Sequence, residues 1–382
     1  VLRYKNAGQT RRPIVTTTSV LNDAEKIRAI DKNGMLNFCI DAPKHYRAAA
    51  EIAQKVKVKF AAPDNIVVIG MGGSAIGGDI LKDYVKDKLS VPIEVCRDYQ
   101  LPAYVGKKTL VLAMSYSGET EETLSAFLDA LRRGCMIFCV TSGGSLAKYA
   151  RKQKIPYVQV PGGMPPRAAL PYMLVPLLIL FEKVGLIGGV TEELEETFVL
   201  LDKVCAENGI DKQWCDSPAK EIAQHIGDAA PTVYGFGIYR AVAQRFKQQF
   251  NENSKTPAKW EYFPELNHNE IVGWQTSGEL NRYFSVIFIR DVDNEPIEIE
   301  SRIDTTKAIM EQRGLIMFDL HVQGQSALAK IISTIVIGDF VSVYYAVTRK
   351  QDPTPVKCID FLKDTLKENG VKDKILAELD AL

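Results

Sequence analysis

The sequence has no excess of either charge: Lys plus Arg and Asp plus Glu each number 47. A neutral chain has no broad electrostatic footprint for nucleic acid or for an anionic membrane. Any anion site must then be local, made by loops and a few placed side chains. No CxxC pair and no His/Cys cluster at zinc spacing occurs, so the redox dithiol motif and the common zinc sites are excluded. Histidine is scarce, with four in 382 residues. The longest apolar runs, LPYMLVPLLILF and IISTIVIGDFVSVYYAV, are broken by proline or carry polar residues. They read as buried helices rather than membrane spans. The seven cysteines are Cys39, Cys96, Cys135, Cys139, Cys205, Cys215 and Cys358. An odd number, most of them in apolar surroundings such as GCMIFCV, predicts reduced thiols of a cytoplasmic protein, mostly packed in the core. The opening VLRYKNAGQTRRPIVT has no periodicity and no signal-peptide pattern, and residues 1–19 are expected to form a flexible tail.

What the sequence does have is alternation. Apolar runs such as NIVVIG, PIEVCRD, TLVLAM, CMIFCV and PYVQV are separated by helical patterns such as ETEETLSAFLDALRRG. The rhythm returns with PTVYGFG, YFSVIFIRD and LIMFDLHV, separated by further helical patterns. Alternation of this kind predicts an α/β fold of two subdomains, each a mainly parallel sheet flanked by helices in three layers. The expected boundaries are 20–208 and 209–382, joined by the acidic helical stretch from Thr191 to Asn208.

NIVVIGMGGSAIGGDIL, Asn65 to Leu81, is a buried strand, a glycine-rich turn and a helix start. Phosphate favours such a turn because unpaired N–H groups and the helix dipole point at it. Gly70, Gly72 and Gly73 allow close approach, and Ser74 adds a hydroxyl. Tight helix-on-strand packing is the competing explanation. A triphosphate site is excluded, since no Lys followed by Ser or Thr comes after the turn. A dinucleotide site has a tolerable fingerprint in Gly70-x-Gly72-x-x-Ala75, with Glu94 and Asp98 near the position of a ribose-binding acid. MSYSGETEETLSAF weighs against it. Ser115, Ser117, Thr120 and Thr123 give four hydroxyls within nine residues, and Gly118 opens a helix. Capping needs one hydroxyl; four make a second cradle, and two adjacent cradles suit one monophosphate. Glu119, Glu121 and Glu122 would repel it unless they turn away. VYGFG stands in the second half where VIGMGG stands in the first, without the serine or the doubled glycines, so phosphate is expected in the first half.

GMGGSAIGG followed by SYSGETEET resembles the sugar isomerase (SIS) domain, which holds sugar phosphates with these two loops. PGGMPPRAALPYML and QQFNENSKTPAKWEYFPELNHNEIVGW narrow the resemblance to the bifunctional phosphoglucose/phosphomannose isomerases, from about Val20 onward. The resemblance implies two SIS domains and interconversion of glucose 6-phosphate or mannose 6-phosphate with fructose 6-phosphate. The hexose 6-phosphate would be gripped by Gly72, Gly73, Ser74, Ser115, Ser117 and Thr120. Glu252, between Asn251 and Asn253, would be the base that moves a proton between C2 and C1 through a cis-enediol. His268 would open the sugar ring, Arg167 would stabilise the enediolate, and Lys363 would lie at the ring oxygen, with Lys357 an alternative. Thr354 would border the pocket, and a homodimer with shared sites is implied. His45, His225 and His321 sit in no motif and read as structural. No cofactor and no metal is expected. The alternatives are a non-catalytic sugar-phosphate sensor, an isomerase of another sugar phosphate, and a nicotinamide enzyme.

Overall fold

The computed structural model describes residues 19–276 and 278–382, so nearly all of the expected N-terminal tail lies outside it. The chain forms two compact units. One joins Lys44–Glu192 to Val356–Leu382, and the other joins residues 19–43 to Glu193–Pro355.

The first unit holds five parallel strands: β1 (Asn65–Ile69), β2 (Ile93–Cys96), β3 (Thr109–Met114), β4 (Met136–Thr141) and β5 (Tyr157–Gln159). Their order is β2-β1-β3-β4-β5. β3 is buried along its whole length and β1 along all but its first residue. This explains why both read as continuous apolar runs: helices cover both faces of the sheet. The helix Glu121–Arg132 starts with Glu121 and Glu122 and ends with Arg132, matching its dipole. It buries Leu124, Phe127 and Leu128 in the core. The distant helix Val371–Ala381 joins that core through Ile375 and Leu379. Arg132–Glu378 and Lys148–Asp380 ion pairs also hold it there. These contacts are why Val356–Leu382 groups with the first sheet rather than with the residues it follows in sequence.

The second unit holds β6 (Ala230–Phe236), β7 (Lys259–Phe263), β8 (Phe284–Arg290) and β9 (Ile316–His321), all parallel, in the order β7-β6-β8-β9. The strand pattern does not reveal β7. KWEYF is polar and mostly half-exposed because it lies at the sheet edge. The helix Ala327–Thr348 is long and apolar and is buried along most of its length. It is the core helix of this unit and packs on the helix Arg240–Ser254. Gly338 lets the two meet: a Cβ there would lie 2.2 Å from the Phe246 ring.

Lys220 explains why residues 19–43 belong here. It is fully buried, and its Nζ donates to the carbonyls of Leu21 at 2.8 Å, Ile210 at 2.7 Å and Lys212 at 2.6 Å. Lys220→Met leaves these acceptors without their donor and is expected to lower unfolding free energy by about 3 kcal/mol, read from urea melts. Burial pushes the Lys220 pKa down to about 8. The unfolded chain therefore binds more protons above that pH. The stability difference between wild type and variant should widen as pH rises from about 8 toward 10.5.

Candidate active site

In the first sheet the chain leaves β1 for β2 on one side, while β3 lies on the other. The loops after β1 and β3 therefore diverge and open a crevice at the carboxyl ends of the two strands. The glycine turn and the serine loop are these two loops. Gly72, with φ +48°, opens the helix Gly72–Val85. Met71 precedes it without a side-chain cap, the arrangement in which an anion can take the first N–H groups of a helix.

Packing accounts for several of the glycines. A Cβ on Gly70 would lie 2.8 Å from the Met114 carbonyl, and one on Gly77 2.9 Å from that of Met173. Gly73 matters differently. A Cβ there would meet the Pro166 carbonyl at 2.9 Å and Arg167 Cα at 3.2 Å. The missing side chain thus brings the Pro-Pro-Arg segment against the turn. Arg167 is buried in the short 3-10 helix Pro166–Ala168.

The hydroxyls also link the loops. Ser74 Oγ accepts from the Tyr116 N–H at 3.1 Å, tying the first loop to the second. Ser115 Oγ donates to Thr120 Oγ1 at 3.0 Å and accepts from the Gly118 N–H at 3.1 Å. Ser117 is exposed, and its Oγ accepts from the Glu119 N–H at 3.2 Å. Two of the acids are turned to protein partners. Glu119 accepts from the Ser145 N–H at 2.7 Å and pairs with Lys372. Burial pushes its carboxyl up, but the Lys372 and Ser145 hydrogen bonds outweigh that and hold it below the ordinary range. Glu121 accepts from the Tyr99 hydroxyl at 2.8 Å.

Tyr116 is a site residue that sequence reasoning missed, although it lies inside SYSG. Its hydroxyl donates to the Pro161 carbonyl at 2.9 Å and accepts from the Met164 N–H at 3.1 Å. It thereby fixes the segment leading to Arg167. Tyr116→Phe is expected to cost about 1 kcal/mol of that positioning. A rise of about fivefold in KM for a hexose phosphate would report it in steady-state assays.

In the second unit, Glu252 lies on the last turn of the helix Arg240–Ser254, half-buried, rather than in a polar loop. Its neighbours are pinned. Asn251 Oδ1 accepts from the Ala258 N–H at 3.1 Å, and Asn253 Nδ2 donates to Ser342 Oγ at 2.9 Å. Lys255, with φ +52°, ends the helix. Its Nζ donates to the carbonyls of Glu252 at 2.7 Å and Pro353 at 2.6 Å. His268 is exposed, in the turn Glu265–His268 that follows β7.

Glu252 and His268 lie toward opposite ends of β7. The Asn251–Ala258 bond puts Glu252 near the start of β7, and His268 comes after its end. The strand between spans about 13 Å at 3.3 Å per residue. Lys363 and Lys357 are both exposed, on the helix Lys357–Glu368, which buries no residue. The Thr354 N–H donates to Asp352 Oδ1 at 3.0 Å. His45 bonds the Tyr172 hydroxyl at 3.0 Å, and His225 packs on Trp214 and Phe318. Burial lowers the pKa of His321. Among the described residues no group of three or more His, Cys, Asp and Glu side chains could hold a metal ion.

Residues 59–165 match the SIS domain family, and residues 215–366 match the family described as the bacterial phospho-glucose isomerase C-terminal SIS domain. A bifunctional phosphoglucose/phosphomannose isomerase of Caldicellulosiruptor bescii is 40% identical over 342 residues, covering 89% of this chain and all of that one. The chain belongs to the bifunctional phosphoglucose/phosphomannose isomerase family. A D-glucosamine-6-phosphate 4-epimerase of Sulfolobus acidocaldarius is 32% identical over 61% of this chain and 71% of its own length. In fold, the chain is similar to the C-terminal domain of a glucosamine-fructose-6-phosphate aminotransferase from Francisella tularensis. The TM-score is 0.63 at 16% identity, covering 85% of this chain and 99% of that one. In this member of the isomerase family, the glycine turn and the serine loop fall within the first match, and Glu252, His268 and Lys363 within the second. Arg167 lies just beyond the first.

Proposed function

We propose that this family member interconverts glucose 6-phosphate and mannose 6-phosphate with fructose 6-phosphate. The phosphate sits against Gly72, Gly73, Ser74, Ser115, Ser117 and Thr120. Glu252 takes the proton from C2 of the aldose, giving a cis-enediol, and returns it at C1, while a hydroxyl proton passes from O2 to O1. Arg167 offsets the charge that develops on the enediol oxygens. His268 exchanges a proton with the ring oxygen as the sugar opens, and Lys363 assists there. Acting on both epimers requires only rotation about C2–C3, so that either hydrogen faces the same carboxylate.

The observation that carries the proposal is Glu252 held between two anchored asparagines, in a chain 40% identical to a named bifunctional isomerase. The assay is fructose 6-phosphate formation from each aldose with a metal chelator present. Turnover of both supports the reading, and turnover of neither overturns it.

The separation of Glu252 and His268 along β7 supports a homodimer in which each site takes one of them from each subunit. Mixing Glu252→Gln with His268→Ala subunits should restore activity; mixtures as inactive as their parents would contradict sharing. Seven free thiols agree with a cytoplasmic location.

A second reading is favoured by the epimerase relative. It predicts inversion at C4 of glucosamine 6-phosphate, and product analysis separates the two. A non-catalytic sensor would bind hexose phosphates without converting either one.

A further inference from the structure

The two sheets share a plan. β6 lies between β7 and β8 as β1 lies between β2 and β3, so the second sheet has its own crevice at the carboxyl ends of β6 and β8. The turns entering the two crevices match. Gly235-Phe-Gly237 follows Tyr234 as Gly70-Met-Gly72 follows Ile69. Gly237 has φ +49° and Gly72 has φ +48°. Neither Gly235 nor Gly70 tolerates a Cβ: the nearest atoms are backbone oxygens at 2.3 Å and 2.8 Å. Two residues after the second glycine of each turn stand Tyr239 and Ser74. The residue just after β8 is Asp291, and the residue just after β3 is Ser115.

At the second crevice a buried carboxylate stands among donors. Asp291 is 6% exposed. Its Oδ2 accepts from the Tyr239 hydroxyl at 2.7 Å, and Lys330 Nζ reaches Oδ1 at 2.9 Å and Oδ2 at 3.0 Å. Asn294 Nδ2 donates to Oδ1 at 3.0 Å. Burial pushes the Asp291 carboxyl up, but the bonds from Asn294, Tyr239 and Lys330 outweigh it and keep it ionised. Lys330 lies in the first turn of the helix Ala327–Thr348, which packs on the helix following β6. In the first sheet, Arg167 directly precedes the helix Leu170–Lys183, which packs on the helix following β1. Each turn thus carries a hydroxyl, Ser74 or Tyr239, and each has a cationic residue in a neighbouring segment, Arg167 in the 3-10 helix before Leu170–Lys183 and Lys330 in the first turn of Ala327–Thr348.

We propose that the carboxyl ends of β6 and β8 form a second phosphate-type anion site, which the chain fills with the Asp291 carboxylate. The proposal rests on the reading of the first crevice as a phosphate cradle. Its consequence is that one chain takes one phosphate, always at the first sheet.

The test is calorimetric titration of the full chain with inorganic phosphate. Asp291→Ser, which places at this position the residue found after β3, should bind one more phosphate per chain than wild type. Phosphate should also raise its melting temperature more than it raises that of wild type. Asp291→Ser/Lys330→Met should return to the wild-type number. No added phosphate in Asp291→Ser, or an added one that survives in the double variant, overturns the proposal. If Asp291→Ser fails to fold in phosphate-free buffer, recovery of the fold by phosphate supports the site, and failure to recover overturns it. Because the readout is a difference, it stands apart from the first cradle. A wild type that binds no phosphate at all would count against that cradle alone.

Discussion

Glu252→Gln is expected to lower kcat for both aldoses by about 10³, within the usual range for loss of a general base, or about 4 kcal/mol of barrier. The amide keeps the size and hydrogen-bonding reach of the carboxylate but cannot carry the proton. The Asn251–Ala258 and Asn253–Ser342 bonds that fix this turn do not involve the Glu252 side chain. The fold of this turn should therefore be kept, which a circular-dichroism melt checks. KM should change little, because the proposed phosphate contacts lie in the first sheet and the substitution leaves them in place. Equal losses for the glucose and mannose substrates would assign both activities to one base. A variant that keeps more than about a tenth of wild-type turnover would place the base elsewhere.

Gly118→Ala should damage binding rather than chemistry. Gly118 has φ +71°, a backbone region that costs an L-residue roughly 1–2 kcal/mol. The added Cβ would stand 1.9 Å from the Gly143 carbonyl, so backbone must move. Overpacking of this kind costs about 1–3 kcal/mol more. The Gly118 N–H donates to Ser115 Oγ at 3.1 Å, and its carbonyl accepts from the Leu146 N–H at 3.0 Å. A shift therefore spreads through the serine loop. We expect a loss of about 3 kcal/mol in urea unfolding and a rise of about tenfold or more in KM. Wild-type stability and KM in this variant would show that the loop is more yielding than its contacts imply.

The alternation of strand and helix, the parallel sheets and the two loops were legible because they depend on local pattern. Buried parallel strands give unbroken apolar runs, and glycine-rich turns stand out by composition. β7 escaped because an edge strand need not be apolar. The placement of residues 19–43 and 356–382 also escaped. It depends on long-range contacts such as Lys220 with Leu21 and the burial of Leu379 beside the helix Glu121–Arg132, and no window of sequence contains them. The residue types of the glycine turn and the serine loop were legible, but their bonds were out of reach. Ser74 holds Tyr116, Ser115 holds Gly118, and Gly73 makes room for Arg167. Glu252 was marked by its motif, yet its position on a helical turn came only from the fold.

In the proposed reaction a single carboxylate carries a proton between C2 and C1. Running the reaction in deuterium oxide tests it most directly. A proton held on Glu252 exchanges with solvent before it is returned. Fructose 6-phosphate formed from either aldose should therefore carry deuterium at C1, at less than one atom per molecule where return outpaces exchange. Product from both aldoses with no deuterium at C1, under conditions where turnover is complete, would mean that hydrogen moves without visiting an exchangeable base, and would contradict the account.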